Sequence, residues 1–251
     1  MSNQKFRNKT VVIAGGAKNL GGLLAKDFLT QGANVIVHYH SDSTRKNAEE
    51  TVGLAASLEG EAIAVQADLT DVAGVRSLFD EAENRIGAID IAVNTTGMVL
   101  RKPISDISED EYDAMFDINS KAAFFFIQEA GKRLKDGGKI ISLGTSLLAA
   151  FTDGYSTYAG AKSPVEHFTR AAAKELADRQ ISVNVVAPGP MDTPFFYPQE
   201  NPQRVDFHKS QAMGNRLTEI EDIAPIIEFL ADGGAWFTGQ TLFPNGGYTT
   251  R

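Results

Sequence analysis

Short runs of aliphatic and β-branched residues alternate with longer amphipathic segments along the whole sequence. Apolar runs of about four to eight residues favour buried strands, whereas apolar residues three and four apart favour helices. The predicted strands are Thr10–Ala14, Asn34–Tyr39, Ala62–Gln66, Ile89–Asn94, Lys139–Leu143, Ser182–Ala187 and Gln240–Phe243. The predicted helices are Asn19–Gln31, Thr44–Glu59, Val72–Ile86, Glu109–Leu134, Tyr155–Arg179 and Asp222–Leu230.

Strands and helices in strict alternation imply right-handed crossovers and a parallel sheet that helices cover on both faces. We therefore expect an α/β fold with a doubly wound, Rossmann-type parallel sheet. No repeat, low-complexity tract or linker divides the sequence, so residues 1–251 are expected to form a single domain. The least regular stretch, residues 188–216, is rich in proline and aromatic residues and is predicted to be a substrate loop or lid.

Composition narrows the possible partners of the protein. The 251 residues carry a formal net charge of −8, which argues against general binding to nucleic acid or to an anionic membrane. The sequence has no cysteine, so disulfides and thiolate chemistry are excluded. It also shows no apolar stretch of about 18 residues and no signal segment at its start, and a cytoplasmic protein is expected.

A glycine-rich segment joins the first predicted strand to the first predicted helix. Glycines allow the backbone to turn tightly and to approach a pyrophosphate, whose charge is favoured at a helix N-terminus. The candidate binding residues here are Gly15, Lys18, Asn19, Leu20 and Gly21. The spacing is not the common GxGxxG pattern, and a strand–helix turn without a ligand would also fit it.

The end of the second predicted strand bears on the choice of cofactor. An acidic residue there would hold the adenosine ribose and repel a 2′-phosphate, but none occurs before Asp42. Donors to a phosphate are present instead, at Lys18, His40, Ser41 and Arg45. The sequence therefore favours NADP over NAD.

Tyr158 and Lys162 lie four residues apart in a predicted helix, so their side chains share one face. A nearby ammonium favours the phenolate, and we expect Lys162 to lower the pKa of Tyr158 from its usual value of about 10. An acid whose pKa is nearer neutrality transfers protons more effectively. Alone, the pair would fit a solvated helix face equally well.

Taken in order, these motifs resemble the short-chain dehydrogenase/reductase family over essentially the whole chain. The resemblance extends to Asn94-Thr95-Thr96-Gly97, to Pro188-Gly189-Pro190-Met191-Asp192-Thr193 and to the segment from Thr238 to Tyr248. It implies cofactor contacts from the glycine segment, from Tyr158 and Lys162, and from Asp68, Leu69, Asn94, Thr95, Gly97, Pro188, Gly189, Met191 and Thr193. In the family the acid at Asp68 contacts adenine, and the proline–glycine segment lies against the nicotinamide.

The resemblance also implies the catalytic set Asn119, Thr145, Tyr158 and Lys162. Tyr158 would donate a proton to the carbonyl oxygen, Lys162 would bind the nicotinamide ribose, and Asn119 would hold a water that relays protons. Thr145 stands where the family usually has a serine, and Ser146 could replace it only if the loop shifts by one residue. Asn19 in place of a glycine, and Thr95-Thr96 in place of asparagine and alanine, are further departures.

The function expected from this resemblance is an NADPH-dependent carbonyl reductase or alcohol dehydrogenase acting as a homo-oligomer, either dimer or tetramer. The alternatives are a 3-oxoacyl-carrier-protein reductase and an NADP-binding sensor without turnover. The four histidines are too scattered, without cysteine, to predict a metal site. An apolar or bulky carbonyl substrate is expected against the lid and Thr95, Thr96, Leu147, Leu148 and Phe151.

Overall fold

The computed structural model describes residues 4–250 and contains one parallel sheet of seven strands in the order β3-β2-β1-β4-β5-β6-β7. Every paired neighbour in the sheet runs parallel, which confirms the predicted α/β fold with a doubly wound sheet. The strands are β1 (Thr10–Ala14), β2 (Asn34–Tyr39), β3 (Ala62–Gln66), β4 (Ile91–Asn94), β5 (Lys139–Leu143), β6 (Ser182–Val186) and β7 (Thr241–Leu242).

Helices fill the connections between the strands. They are α1 (Asn19–Thr30), α2 (Asp42–Gly53), α3 (Val72–Arg85), α4 (Glu109–Phe116), α5 (Ala122–Arg133), α6 (Ser156–Glu175), α7 (Pro202–Ser210) and α8 (Ile220–Ala231). Within residues 4–250 no helix combines the length and the apolar character needed to cross a bilayer.

The strand β1 shows how the sheet separates two layers of core. Val11 and Ile13 are buried with side chains of α1 and α8, whereas Val12 and Ala14 are buried with side chains of α3 and α5. Successive residues of a strand point to opposite faces, so a strand covered on both sides must be apolar throughout. This double burial explains why the central strands appear in the sequence as unbroken apolar runs.

The predicted helix Glu109–Leu134 is two helices joined by a π-helical turn, Asp117–Lys121. Within this turn the Asn119 amide donates to the carbonyl oxygens of Met98 and Met115, at 2.9 and 3.0 Å. The chain keeps winding through the turn, so the apolar periodicity continues and the sequence pattern shows no break.

The predicted lid, residues 188–216, is more regular than expected, because it contains α7. The helix begins after Asn201, whose side chain accepts from the Arg204 backbone N–H at 2.9 Å, and Pro202 occupies its first turn. An asparagine cap followed by proline is a helix-start signal, and the prediction of an irregular segment was wrong at this point.

Candidate active site

A cavity of about 720 Å³ opens at the carboxyl ends of the strands. Its walls come from the segments that follow β1, β2, β4, β5 and β6, from the first turns of α6 and from the lid. Ligands of open parallel sheets bind at this edge, where the strand order reverses on either side of β1.

The glycine segment after β1 has the close backbone approach that its sequence suggested. Gly15 has a φ of +76°, and a Cβ on Gly21 would lie 2.2 Å from the Gly15 carbonyl oxygen, so only glycine fits there. Asn19 has a φ of +51°, the left-handed conformation that asparagine tolerates better than most residues. The segment therefore keeps its turn despite the change from glycine at this position.

His38, in β2, holds the glycine segment in place through a hydrogen bond to Gly15. This role was missed from the sequence, where the residue was considered only as a possible metal ligand. Its Nδ1 accepts from the Gly15 N–H at 2.9 Å, and its Nε2 donates to the Ala67 carbonyl oxygen at 3.0 Å. Both contacts require the neutral ring with its proton on Nε2. Burial lowers the pKa of His38 to about 4. A histidine within an apolar strand was the available signal.

We expect His38 to make the free energy of unfolding depend on pH. Because its pKa is about 4 when folded and near 6.5 when unfolded, the unfolded chain binds the extra proton between these values. The stabilisation is complete above pH ~6.5 and is lost as the pH falls towards ~4, by up to about 3 kcal/mol.

Urea unfolding of the parent and of His38→Gln at several pH values measures this contribution. Glutamine can accept from Gly15 and donate to Ala67, but it does not titrate. The free energy of unfolding should fall more for the parent than for the variant on acidification. The two proteins share all their carboxylates, so the contribution of these groups cancels when the two free energies are subtracted. Parallel pH profiles for the two proteins would contradict the role assigned to His38.

The threonines after β4 account for one departure from the family pattern. The Thr95 hydroxyl donates to the Ala14 carbonyl oxygen at 2.8 Å and so ties the end of β4 to the end of β1. The Thr96 hydroxyl donates to the Asn94 Oδ1 at 2.6 Å. Asn94 is itself buried behind these contacts and does not line the cavity.

Lys162 and Tyr158 are both buried in the cavity wall, but the expected lowering of the tyrosine pKa is not found. The Lys162 Nζ donates to the carbonyl oxygens of Leu143 and Thr96, at 3.0 and 3.3 Å, and burial lowers its pKa to about 8. Burial raises the pKa of Tyr158 to about 12, and a hydrogen bond with Thr145 opposes this rise. In the protein alone, burial of Tyr158 therefore outweighs the opposing hydrogen bond from Thr145 in setting the tyrosine pKa.

The geometry favours Thr145 over Ser146 as the third hydroxyl. The Ser146 hydroxyl donates to the Ala187 carbonyl oxygen at 3.0 Å and accepts from the Asn245 amide at 3.2 Å. Its hydrogen-bonding capacity is thus engaged by the protein. The Thr145 hydroxyl accepts from the Leu147 N–H at 3.3 Å and keeps its proton for a ligand, and it lines the cavity close enough to Tyr158 to influence the tyrosine pKa.

Asn119 lies outside the cavity lining. Besides donating to two carbonyls, its side chain accepts from the Met98 N–H at 3.2 Å, so both polar atoms bind backbone. A Cβ on Gly97 would lie 2.8 Å from the Asn119 Oδ1 and 3.0 Å from the Lys162 Nζ. Asn119 therefore positions the segment after β4 beside Lys162, and both of its amide N–H groups are engaged by backbone carbonyls.

Most of the predicted residues meet at the cavity. Those that line it are Gly15, Lys18, Asn19, Leu20, Gly21, His40, Leu69, Thr95, Gly97, Thr145, Tyr158, Lys162, Pro188, Gly189, Met191 and Thr193. Leu147 and Thr96, predicted to contact substrate, also line it.

A few predicted residues lie elsewhere for identifiable reasons. The Ser41 hydroxyl is 2.8 Å from that of Ser43 at the exposed start of α2. Asp68 accepts from the Thr70 hydroxyl at 2.7 Å, which lowers the pKa of its carboxyl. Leu148 does not line the cavity, and the Phe151 side chain is fully exposed, so neither residue lies in the cavity wall.

The residues present fit a dinucleotide phosphate. Gly15 and Gly21 leave the backbone open at the N-terminus of α1, where a pyrophosphate is favoured, and Lys18 stands at the cap of that helix. His40 lines the same end of the cavity with an exposed side chain, and its Nδ1 lies 4.0 Å from the Asp68 carboxylate. Two donors therefore face the region expected for the 2′-phosphate.

Comparisons with known proteins agree with this geometry. A family model described as Enoyl-(Acyl carrier protein) reductase matches residues 15–249. The chain is 36% identical to NADPH-dependent aldehyde reductase 2 of Arabidopsis thaliana, over 95% of this chain and 93% of that protein. It is 34% identical to a short-chain type dehydrogenase/reductase of Picea abies, over 95% of this chain and 92% of that protein.

Solved structures are similar over nearly their whole length. A structure described as a dehydrogenase from Burkholderia cenocepacia with bound NADP superposes with a TM-score of 0.96 at 54% identity, covering 99% of this chain and 96% of that one. A blue fluorescent protein from a metagenomic library, in complex with NADPH, superposes with a TM-score of 0.93 at 31% identity. The match covers 98% of this chain and 100% of that one.

Proposed function

Since the chain belongs to the short-chain dehydrogenase/reductase family and is an NADP-dependent oxidoreductase, we propose that it reduces the carbonyl group of an apolar or bulky aldehyde or ketone. The burial of Tyr158, Lys162 and Thr145 in one cavity wall carries this proposal. The relatives named as NADPH-dependent aldehyde reductases support it.

NADPH, when bound, supplies the hydride that reduces the carbonyl carbon. Gly15 and Gly21, together with the N-terminus of α1, would hold its pyrophosphate, and Lys18 and His40 would hold its 2′-phosphate. Lys162, with two of its donors on carbonyl oxygens, keeps an N–H for the nicotinamide ribose.

The protein's own part in the reaction is to stabilise and protonate the carbonyl oxygen. Tyr158, whose pKa is raised to about 12, is protonated at neutral pH and so can act as the general acid. Thr145, hydrogen-bonded to Tyr158, orients the substrate oxygen between the two hydroxyls. The cavity wall around them is largely apolar, which strengthens both hydrogen bonds.

We expect Thr145→Val to lower kcat by about 10- to 100-fold, because it removes one hydrogen-bond donor to the developing oxyanion. Thr145→Ser restores the hydroxyl without the methyl group and serves as the matched control. Steady-state kinetics on one carbonyl substrate compares the three proteins. Equal kcat values for the valine and serine variants would exclude a role for this hydroxyl.

Oxidation of NADPH, followed by its near-ultraviolet absorbance with a panel of aldehydes, ketones and 3-oxoacyl thioesters, tests the proposed function. Turnover of aldehydes or ketones is the expected result. Tight NADPH binding without turnover of any carbonyl would instead favour a sensor.

A 3-oxoacyl-carrier-protein reductase is the second candidate. The matching family model is described as an enoyl-(acyl carrier protein) reductase, which shares the carrier-bound type of substrate but reduces a carbon–carbon double bond. Such an enzyme needs a basic face near the cavity mouth for an acidic carrier. Lys102, however, is paired with Glu111 at 2.8 Å, and Arg101 with Asp153 at 3.3 Å. Because acidic partners neutralise Lys102 and Arg101, these two side chains do not form the basic face that an acidic carrier protein would need. Faster turnover of carrier-bound 3-oxoacyl groups than of free ketones would decide for this candidate.

A further inference from the structure

A chain of buried polar groups closes the lid side of the cavity, outside the catalytic residues. Its centre is Glu200, whose side chain is wholly buried. One carboxylate oxygen accepts from the Tyr155 hydroxyl at 2.5 Å and lies 3.1 Å from the His208 Nε2. The other accepts from the Arg204 Nε at 3.0 Å. The carboxylate is thus held by donors from the start of α6 and from the lid helix α7.

The chain continues through His208 to the C-terminal segment, where the His208 Nδ1 lies 2.9 Å from the Tyr248 hydroxyl. A neutral His208 that donates to Glu200 must accept from Tyr248. The Tyr248 oxygen then keeps lone pairs for another donor. Burial, together with the charge on Glu200, raises the pKa of Tyr248, so its hydroxyl stays protonated.

Gln199 adds a donor to the same wall. Its Oε1 accepts from the Arg101 backbone N–H at 2.8 Å, and its amide nitrogen has no partner among residues 4–250. Both Gln199 and Tyr248 line the cavity. Two groups with unused hydrogen-bonding capacity therefore face the space in which a substrate would lie.

The surroundings of this wall are aromatic. The Tyr158 ring lies 6.3 Å from the Tyr155 ring and 6.4 Å from the Phe195 ring, measured between centroids. Met98 and Leu147 also line the cavity, so aromatic and apolar side chains surround Tyr158. Such a slot suits an aromatic ring.

An entirely apolar substrate would cover the Gln199 amide nitrogen without giving it an acceptor, and would leave the remaining lone pairs of the Tyr248 oxygen without a donor. A site that is built to hydrogen-bond a substrate oxygen therefore discriminates strongly against analogues that lack this oxygen. We propose that Gln199 and Tyr248 bind a second oxygen of the substrate, which is an aromatic aldehyde or ketone with a further hydroxyl group. This hydroxyl donates to the Tyr248 oxygen and accepts from the Gln199 amide nitrogen. Glu200 positions this wall through His208. The inference rests on the proposed function, which supplies the reacting carbonyl.

Binding to the protein loaded with oxidised NADP tests the inference without requiring turnover. The probes are α-tetralone and its ring-hydroxylated isomers, titrated by calorimetry. We expect at least one isomer to bind about tenfold or more tighter than α-tetralone, and Tyr248→Phe to reduce this ratio to about threefold or less. Gln199→Leu should also reduce it, which provides a second variant if Tyr248→Phe does not fold.

Tyr197→Phe is the matched control, because this tyrosine lies in the same lid but its hydroxyl donates to Asp192 at 2.6 Å, outside the cavity lining. It should keep the parental ratio. Glu200→Gln should raise KM for the hydroxylated ketone more than it lowers kcat, since it disturbs the wall and spares Tyr158. Unfolding temperature and NADP affinity, measured for every variant, separate these effects from loss of the fold.

The outcomes for the inference and for the proposed function can be told apart. Equal binding of all the tetralones, or an unchanged ratio in both Tyr248→Phe and Gln199→Leu, would overturn the inference even if ketones are reduced. Hydroxyl-dependent binding that both variants weaken would support it. The same binding pattern without NADPH oxidation would contradict the proposed function alone.

Discussion

Replacing Tyr158 by phenylalanine is expected to lower kcat for carbonyl reduction by about a thousandfold while leaving NADPH affinity nearly unchanged. The change removes the hydroxyl proposed to donate the proton and keeps the aromatic ring. Because Tyr158 is 8% exposed and is packed with Met115, Tyr155 and Ala161, the ring should retain its place. Steady-state kinetics and cofactor titration by fluorescence give the two quantities.

Tyr112→Phe is a suitable control for this substitution. Tyr112 is 48% exposed and stacks on Phe116 at 4.3 Å, away from the cavity lining. It should keep the parental kcat. If Tyr158→Phe retained a kcat within tenfold of the parent, another group would have to supply the proton.

Gly21→Ala is expected to weaken NADPH binding by about a hundredfold, on the scale that a displacement of about 1 Å in a binding segment produces. A Cβ at this position would lie 2.2 Å from the Gly15 carbonyl oxygen and 2.7 Å from the Thr95 hydroxyl oxygen. Neither atom can retreat freely, since Thr95 donates to Ala14 and the Gly15 N–H is held by His38. Overpacking should also lower the free energy of unfolding by about 1–3 kcal/mol.

Gly53→Ala provides the control for this change. A Cβ on Gly53, at the end of α2, would meet nothing within 4 Å. Alanine is favoured over glycine in a helix by about 1 kcal/mol, so this variant should be as stable as the parent or more stable. NADPH titration and urea unfolding of both variants make the comparison. Normal cofactor affinity in Gly21→Ala would show that the glycine segment does not hold the cofactor.

The strands of the fold could be predicted from the sequence because a sheet covered on both faces requires continuous apolar runs. Val11 to Ala14 and Val35 to Val37 are such runs, and β1 and β2 have the predicted bounds. The cavity residues that follow the strands were found for the same reason, since the topology brings the carboxyl ends of the strands together. The helix α7 could have been predicted from Asn201-Pro202, a local signal that was present.

The remaining features depend on contacts between distant parts of the chain. Tyr155 contacts Glu200 across a sequence separation of 45 residues, and His208 contacts Tyr248 across a separation of 40. No periodicity or local motif indicates such pairs. The pKa of Tyr158 likewise reflects burial, which raises it, and burial cannot be obtained from the spacing of Tyr158 and Lys162.

The most direct test of the proposed carbonyl reduction is to follow deuterium from NADPH, labelled on the nicotinamide, into the product alcohol by mass spectrometry. The parent protein should place one deuterium on the former carbonyl carbon, and Tyr158→Phe should do so about a thousandfold more slowly. A protein that binds the labelled NADPH tightly, yet places no deuterium in the product of any aldehyde or ketone offered, would contradict this proposal.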